Sequence, residues 1–223
     1  MHLILDSHSV VVFDLDDTLY KEVDYVKSAY RYIASSIREE CGECYFELLW
    51  NAYHNGEDAF GLLSKQPNVN RSISDLVEMY RFHMPTIELE KGASQLMTDL
   101  MYHGVNLGLI TDGRHKTQVN KLRALGIFDY FSLIVVSESF GSEKPSPANY
   151  LAFQSQFPAG NYTYVGDNLK KDFVTPNSLE WTTICIRDDG RNIHKQDWSL
   201  PDKYLPKYCV ESIPDIVVSM KTN

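Results

Sequence analysis

Phe13-Asp14-Leu15-Asp16-Asp17-Thr18-Leu19-Tyr20 follows directly on the apolar run Val10-Val11-Val12. A β-branched run of this kind suits a strand buried on both faces, as in a parallel sheet. In open α/β sheets the ligand crevice lies beyond the carboxyl ends of the strands, so carboxylates placed there point into the expected site. Asp14 and Asp16 stand two apart, and an extended backbone would set them on one side. Two carboxylates this close repel unless a cation or a proton intervenes. Taken alone, the stretch could also be a solvated acidic turn after a strand.

Outward from this point, short apolar runs recur at 105–110, 133–136, 162–165 and 182–186. Helical patterns fill most of the gaps. Residues 93–102 place Leu96, Leu100 and Met101 on one face, and 116–125 run up to Gly126, a natural C-terminal stop. Ser146-Pro147 reads as N-cap and first helical residue of another. Strands alternating with helices predict an α/β fold: a Rossmann-like, doubly wound, mainly parallel sheet. Residues 21–87 break the alternation. They carry helical patterns over 25–37, 45–53 and 72–82, a break at Gln66-Pro67-Asn68 and no clear strand. The expected organisation is a core domain of 1–20 with 88–223, and a small all-helical cap domain of 21–87.

Three further strand ends carry polar groups. Ile110-Thr111-Asp112-Gly113 joins a hydroxyl to a glycine turn, which can offer O–H and N–H donors to a phosphate. Its ordinary reading is a strand-to-helix turn with Thr111 as N-cap. In Gly141-Ser142-Glu143-Lys144-Pro145, Lys144 could supply a fixed ammonium, although most lysines are simply exposed. Val165-Gly166-Asp167-Asn168-Leu169-Lys170-Lys171-Asp172 sets two acids about the start of the next helix. There they suit the helix dipole, and they also offer hard oxygen ligands for magnesium.

The 223 residues carry a formal net charge of −9, which argues against nucleic acid or an anionic membrane as partner. No stretch approaches the roughly 18 apolar residues of a membrane span. Residues 1–9 lack a basic-then-apolar signal layout, so a cytoplasmic protein is expected. Cys41 and Cys44 form a C-x-x-C without a second pair at zinc-finger spacing, and read as two reduced thiols at a helix start. His54, His83, His103 and His115 show no metal-site spacing and read as surface or partly buried. Tyr25, Tyr30, Tyr32 and Tyr53 read as packing within the cap, with room for one or two of them to face the substrate.

Each signal is modest, but their order at four strand ends is specific. Together they resemble the haloacid dehalogenase superfamily, and within it the phosphatases with a helical cap inserted after the first motif. The resemblance covers essentially the whole chain: D-x-D-x-T at Asp14 to Thr18, the Thr111 motif, Lys144, and G-D-x-x-x-x-D at Gly166 to Asp172. It implies Mg²⁺-dependent hydrolysis of a small-metabolite phosphate monoester. By this similarity Asp14 is the nucleophile that becomes an aspartyl phosphate, and Asp16 is the general acid and then base. Thr111, Asp112, Gly113 and Lys144 would hold the phosphoryl group. Asp14, Asp167 and the Asp16 carbonyl would hold the metal. Thr18 would orient Asp16 or brace the loop, and Asp172 would meet a metal-bound water or orient Lys144. The rivals are a phosphomutase, a 2-haloacid dehalogenase, whose leaving halide needs no proton and so no Asp16, and a non-catalytic binding module. Nucleoside monophosphates, sugar phosphates and phosphorylated amino or organic acids all remain open as substrates, and the motifs say nothing of oligomeric state.

Overall fold

A computed structural model describes residues 1–221. Eight strands and nine α-helices occur among them. In chain order they begin with β1 (His2–Leu5), β2 (Ser9–Phe13), α1 (Glu22–Cys41), α2 (Phe46–Asn55), α3 (Ala59–Ser64), α4 (Ile73–Phe82), α5 (Ala93–Tyr102) and β3 (Asn106–Thr111). There follow α6 (His115–Ala124), β4 (Leu133–Val136), α7 (Ser137–Phe140), α8 (Pro147–Gln156), β5 (Asn161–Gly166), α9 (Val174–Ser178), β6 (Thr182–Ile186), β7 (Tyr208–Val210) and β8 (Val217–Met220).

Six strands form one sheet in the order β4-β3-β2-β5-β6-β7, with every pairing parallel. The sheet separates two apolar layers, and β2 feeds both. Val11 and Phe13 face α5 and α6, meeting Leu96, Met97, Leu100 and Leu122. Val10 and Val12 face α8, meeting Tyr150 and Phe153. All five residues of β2 are buried, which is why its sequence is apolar without alternation. The order of strands reverses at β2, since the chain runs outward to β3 and β4 on one side and to β5 and β6 on the other. That reversal opens a crevice at the carboxyl end of β2, and Asp14 sits on it.

β7 and the small parallel pair β1–β8 had no clear sequence signal. β7 has only three residues at the sheet edge, and β1 alternates exposed and buried residues over a mere four. α1 to α4 form the helical cap and bury their own cluster, with Tyr30, Ile33, Ile37, Leu49, Leu63 and Leu76 inside. α4 starts on a Ser72–Asp75 capping box, and α3 on Asp58, which accepts from the Gly61 N–H at 2.9 Å. Cys41 is the last residue of α1 and Cys44 lies in the loop after it. The pair marks a helix end, not a helix start, and both thiols are free.

Candidate active site

The carboxyl ends of β2, β3 and β5, with the loop after α7 that carries Lys144, bring four sequence motifs to one cavity of about 290 Å³. Asp14, Asp16, Asp112, Gly113, Lys144, Asp167 and Lys171 line it. Asp14 is nearly fully buried, and its N–H donates to the Val165 carbonyl at 2.8 Å, which fixes it beside β5. The Lys144 ammonium lies 2.5 Å from Asp14 Oδ1 and 2.7 Å from Asp172 Oδ1. Thr18 Oγ1 reaches Asp14 Oδ2 at 3.4 Å and Asp167 Oδ1 at 3.5 Å. Thr18 therefore serves Asp14 and Asp167, and Asp16 takes its partners elsewhere.

Asp172 spends every lone pair inside the protein. Its Oδ1 accepts from Lys144 and from the Tyr164 hydroxyl at 3.1 Å. Its Oδ2 accepts from the backbone N–H groups of Asp167 at 3.1 Å and Asn168 at 2.8 Å. It stands before α9 and ties the 167–172 turn, so its partners are turn amides and not the N-terminus of a helix. Gly166 permits this closeness: a Cβ there would fall 2.5 Å from Asp172 Oδ2. Thr111 ends β3 and is not a helix cap, since α6 begins after Arg114. Its Oγ1 accepts from Gln118, which leaves its own proton free to donate. Asp112 accepts from the Lys144 N–H at 3.0 Å and from Lys171 Nζ at 2.8 Å, bracing the two loops together.

Asp16 faces α6. Lys121 Nζ donates to its Oδ1 at 2.6 Å and Gln118 Nε2 to its Oδ2 at 2.8 Å, and the Tyr20 hydroxyl also donates to it. Sequence motifs missed all three partners. A signal existed for two of them: Gln118, Lys121, Leu122 and Leu125 fall at i, i+3, i+4 and i+7, the core-facing stripe of a helix, where polar residues need a buried partner. The cap meets the same helix. Thr117 Oγ1 donates to the Arg81 carbonyl at 2.8 Å, and Tyr25 of α1 stacks its ring 4.5 Å from Lys121 Nζ. His83, read from the sequence as surface or partly buried, is buried at this junction between Ser28 and the Tyr80 carbonyl.

Electrostatics split the two aspartates. Burial pushes the Asp14 carboxyl up, and the charge of Asp172 adds to it; Lys144 opposes both, and the group settles at about 8. Asp167 is pushed up as well, by burial and then by Asp14 and Asp172. Burial would also raise Asp16, but Lys121, Tyr20 and Gln118 more than offset it and hold the carboxyl below its ordinary range. Lys144 is disfavoured as a cation by burial, yet Asp14 and Asp172 raise it. Asp14, Asp167 and Asp172 offer carboxylate oxygens within 4.8 Å of one another. Hard oxygens short of positive charge suit a divalent cation such as Mg²⁺. Asp172 is saturated by its four hydrogen-bond donors, which leaves Asp14 and Asp167 as the carboxylates of this cluster that could hold such an ion.

Comparison with known proteins agrees with this geometry. The family model for haloacid dehalogenase-like hydrolases matches residues 11–184. The chain belongs to this family. Among its curated relatives is the glyceraldehyde 3-phosphate phosphatase of Methanocaldococcus jannaschii, 27% identical over 230 residues that cover 95% of this chain and 96% of the relative. The haloacid dehalogenase-like fold recurs in the putative HAD-hydrolase YfnB of Bacillus subtilis, solved bound to magnesium, with TM-score 0.66 and 21% identity over 93% of this chain and 96% of that one. It recurs also in a 2-haloacid dehalogenase of Pseudomonas syringae, with TM-score 0.60 and 21% identity over 92% and 94%. Dehalogenases and phosphatases of this family thus share one scaffold, and the site residues must choose between them. No helix among the described residues is long and apolar enough to cross a membrane.

Proposed function

We propose that this hydrolase cleaves a small phosphate monoester through a phosphorylated Asp14, with Asp16 as acid and base. The observation that carries the reading is Asp14 itself: a buried carboxylate 2.5 Å from Lys144 Nζ, beside Asp167, at the mouth of the crevice. Asp16 favours ester hydrolysis over dehalogenation, because an alkoxide leaving group needs a proton and a halide does not. The relative from Methanocaldococcus jannaschii is named for a triose phosphate. A cavity of about 290 Å³ lies just below the usual span of small-molecule pockets, roughly 300–1,000 Å³, which is in keeping with a short-chain substrate.

In the proposed reaction the Asp14 carboxylate attacks phosphorus while the bond to the leaving oxygen breaks. Asp16 gives that oxygen its proton. Water then attacks the aspartyl phosphate, Asp16 takes a proton from it, and inorganic phosphate leaves with Asp14 restored. Lys144, the Thr111 hydroxyl and the Asp112 N–H hold the phosphoryl oxygens through both halves, whereas the Gly113 N–H, also expected there from the sequence, already donates to Ser137 Oγ at 2.9 Å. Asp172 acts through Lys144 by aiming its ammonium at Asp14. Mg²⁺ held by Asp14, Asp167 and the Asp16 carbonyl would supply the positive charge that a dianionic substrate among these carboxylates requires. The helical cap, 21–87, would select the substrate by covering the crevice.

The reading is tested by phosphate release from an aryl phosphate and from a panel of triose, sugar and nucleoside phosphates. Release with Mg²⁺, greatest for the short-chain phosphates and lost in chelator, is expected. Undiminished turnover in excess chelator would sink it. Transfer of the phosphoryl group to a sugar hydroxyl in preference to water would replace hydrolysis by mutase chemistry.

A further inference from the structure

The loop after β6 reaches back over the carboxyl end of β5, and no motif marks it. Asp188 turns this loop, its Oδ1 accepting from the Gly190 N–H at 2.7 Å and the Asn192 N–H at 3.0 Å. Asn192 is thereby buried against the site. Its Nδ2 donates to Asp167 Oδ2 at 2.8 Å, and its Oδ1 accepts from Lys21 Nζ at 2.7 Å. Lys21 is itself buried and lies 3.4 Å from Asp189. An ammonium can only donate, so Lys21 fixes which way the amide points: oxygen toward the lysine, NH₂ toward the carboxylate. Two further bonds lock the loop. Ile193 N–H donates to Asp17 Oδ2 at 2.8 Å, and Gln196 Nε2 to the Asp167 carbonyl at 2.9 Å.

We propose that Asn192, oriented by Lys21, is a positioning residue that holds Asp167 to a single free carboxylate oxygen and so favours Mg²⁺ over Ca²⁺. The inference rests on the reading of Asp167 as a metal ligand. Asn192 occupies Oδ2, while Oδ1 lies on the side of Thr18 and Asp14. Magnesium demands compact octahedral ligation. Calcium accepts more oxygens at longer range and takes carboxylates in bidentate fashion. A carboxylate pinned through one oxygen serves the smaller ion, and one free to rotate would serve both. Lys21 polarises the amide as well as aiming it, which strengthens the N–H donated to Asp167.

Calorimetric titration of metal-stripped protein with Mg²⁺ and with Ca²⁺ tests this without any turnover. Asn192→Ala is expected to weaken Mg²⁺ about 10–100-fold, the usual effect of losing such a partner. Ca²⁺ is expected to weaken less, so that the Mg²⁺ preference falls. Lys21→Met should shift the preference in the same direction by a smaller factor. Equal weakening of both ions, or no change in either, overturns the inference, because general loosening of the loop would not distinguish them. Should Asn192→Ala fail to fold, Lys21→Met decides on its own, since an unaltered Mg²⁺ preference there is equally fatal. Wild-type protein that binds neither ion, or Asp167→Asn that binds as wild type does, would instead remove the metal reading beneath it.

Discussion

Asp14 and Asp16 leave the same strand two residues apart, and their surroundings are opposite. Asp14 sits with Asp167, Asp172 and one cation, Lys144, and its carboxyl is pushed up to about 8. Asp16 sits with Lys121, Gln118 and Tyr20, three donors that outweigh its acidic neighbours Asp17 and Glu22, and its carboxyl is held low although burial works against it. Burial raises both carboxyls, so depth alone does not separate them. The Asp14 side lacks positive charge and must import it, whereas the Asp16 side is compensated from within. A nucleophile that works beside a metal belongs on the first side. Asp16, on the second side, rests as an anion, the form that takes the proton of water in the second half of the proposed reaction, and it must take up a proton before it can act as acid in the first.

The contrast can be broken from either side. Asp14→Asn should show the largest effect, cutting phosphate release by at least about 10⁴-fold, the scale of removing a covalent nucleophile. Asp16→Asn should lower release by about 10²–10⁴-fold, as for loss of a general acid–base. It should nevertheless keep the Mg²⁺-dependent rise in melting temperature, because its carbonyl remains; loss of that rise would merge the two sides into one. Lys144→Met leaves three buried acids without their cation, and should cost about 3–5 kcal/mol of stability in chelator, read by urea unfolding. Lys121→Met should cost less, about 1–2 kcal/mol, since Asp16 keeps two donors and is partly exposed to water. Equal losses for the two lysines would show that the sides are not differently compensated.

The sequence carried the parts of this site that sit at strand ends. Asp14, Thr111 and Asp167 follow runs of buried apolar residues, and a parallel sheet aligns the ends of its strands by register alone. Lys144 lies off the strands, after α7, and was legible only through its motif. What stayed hidden depends on docking between elements. Lys121 and Gln118 reach Asp16 because α6 packs against the sheet end, and their places on the core-facing stripe were the one available clue. Asn192 and Lys21 lie 171 residues apart and meet over Asp167, and nothing local to either foretells it. Asp172 shows the converse. Its motif was visible, but its saturation by Lys144, Tyr164 and two backbone amides, which takes it out of the metal's reach, required coordinates.

The central claim is that phosphate rests on Asp14 during turnover. Acid-quenching the protein in the presence of Mg²⁺ and an aryl phosphate, followed by peptide mass analysis, tests it most directly. The account predicts an added phosphoryl mass on the peptide that contains Asp14, labile to hydroxylamine and absent from Asp14→Asn. Turnover at full rate with no such adduct, or an adduct on any other side chain, would contradict it.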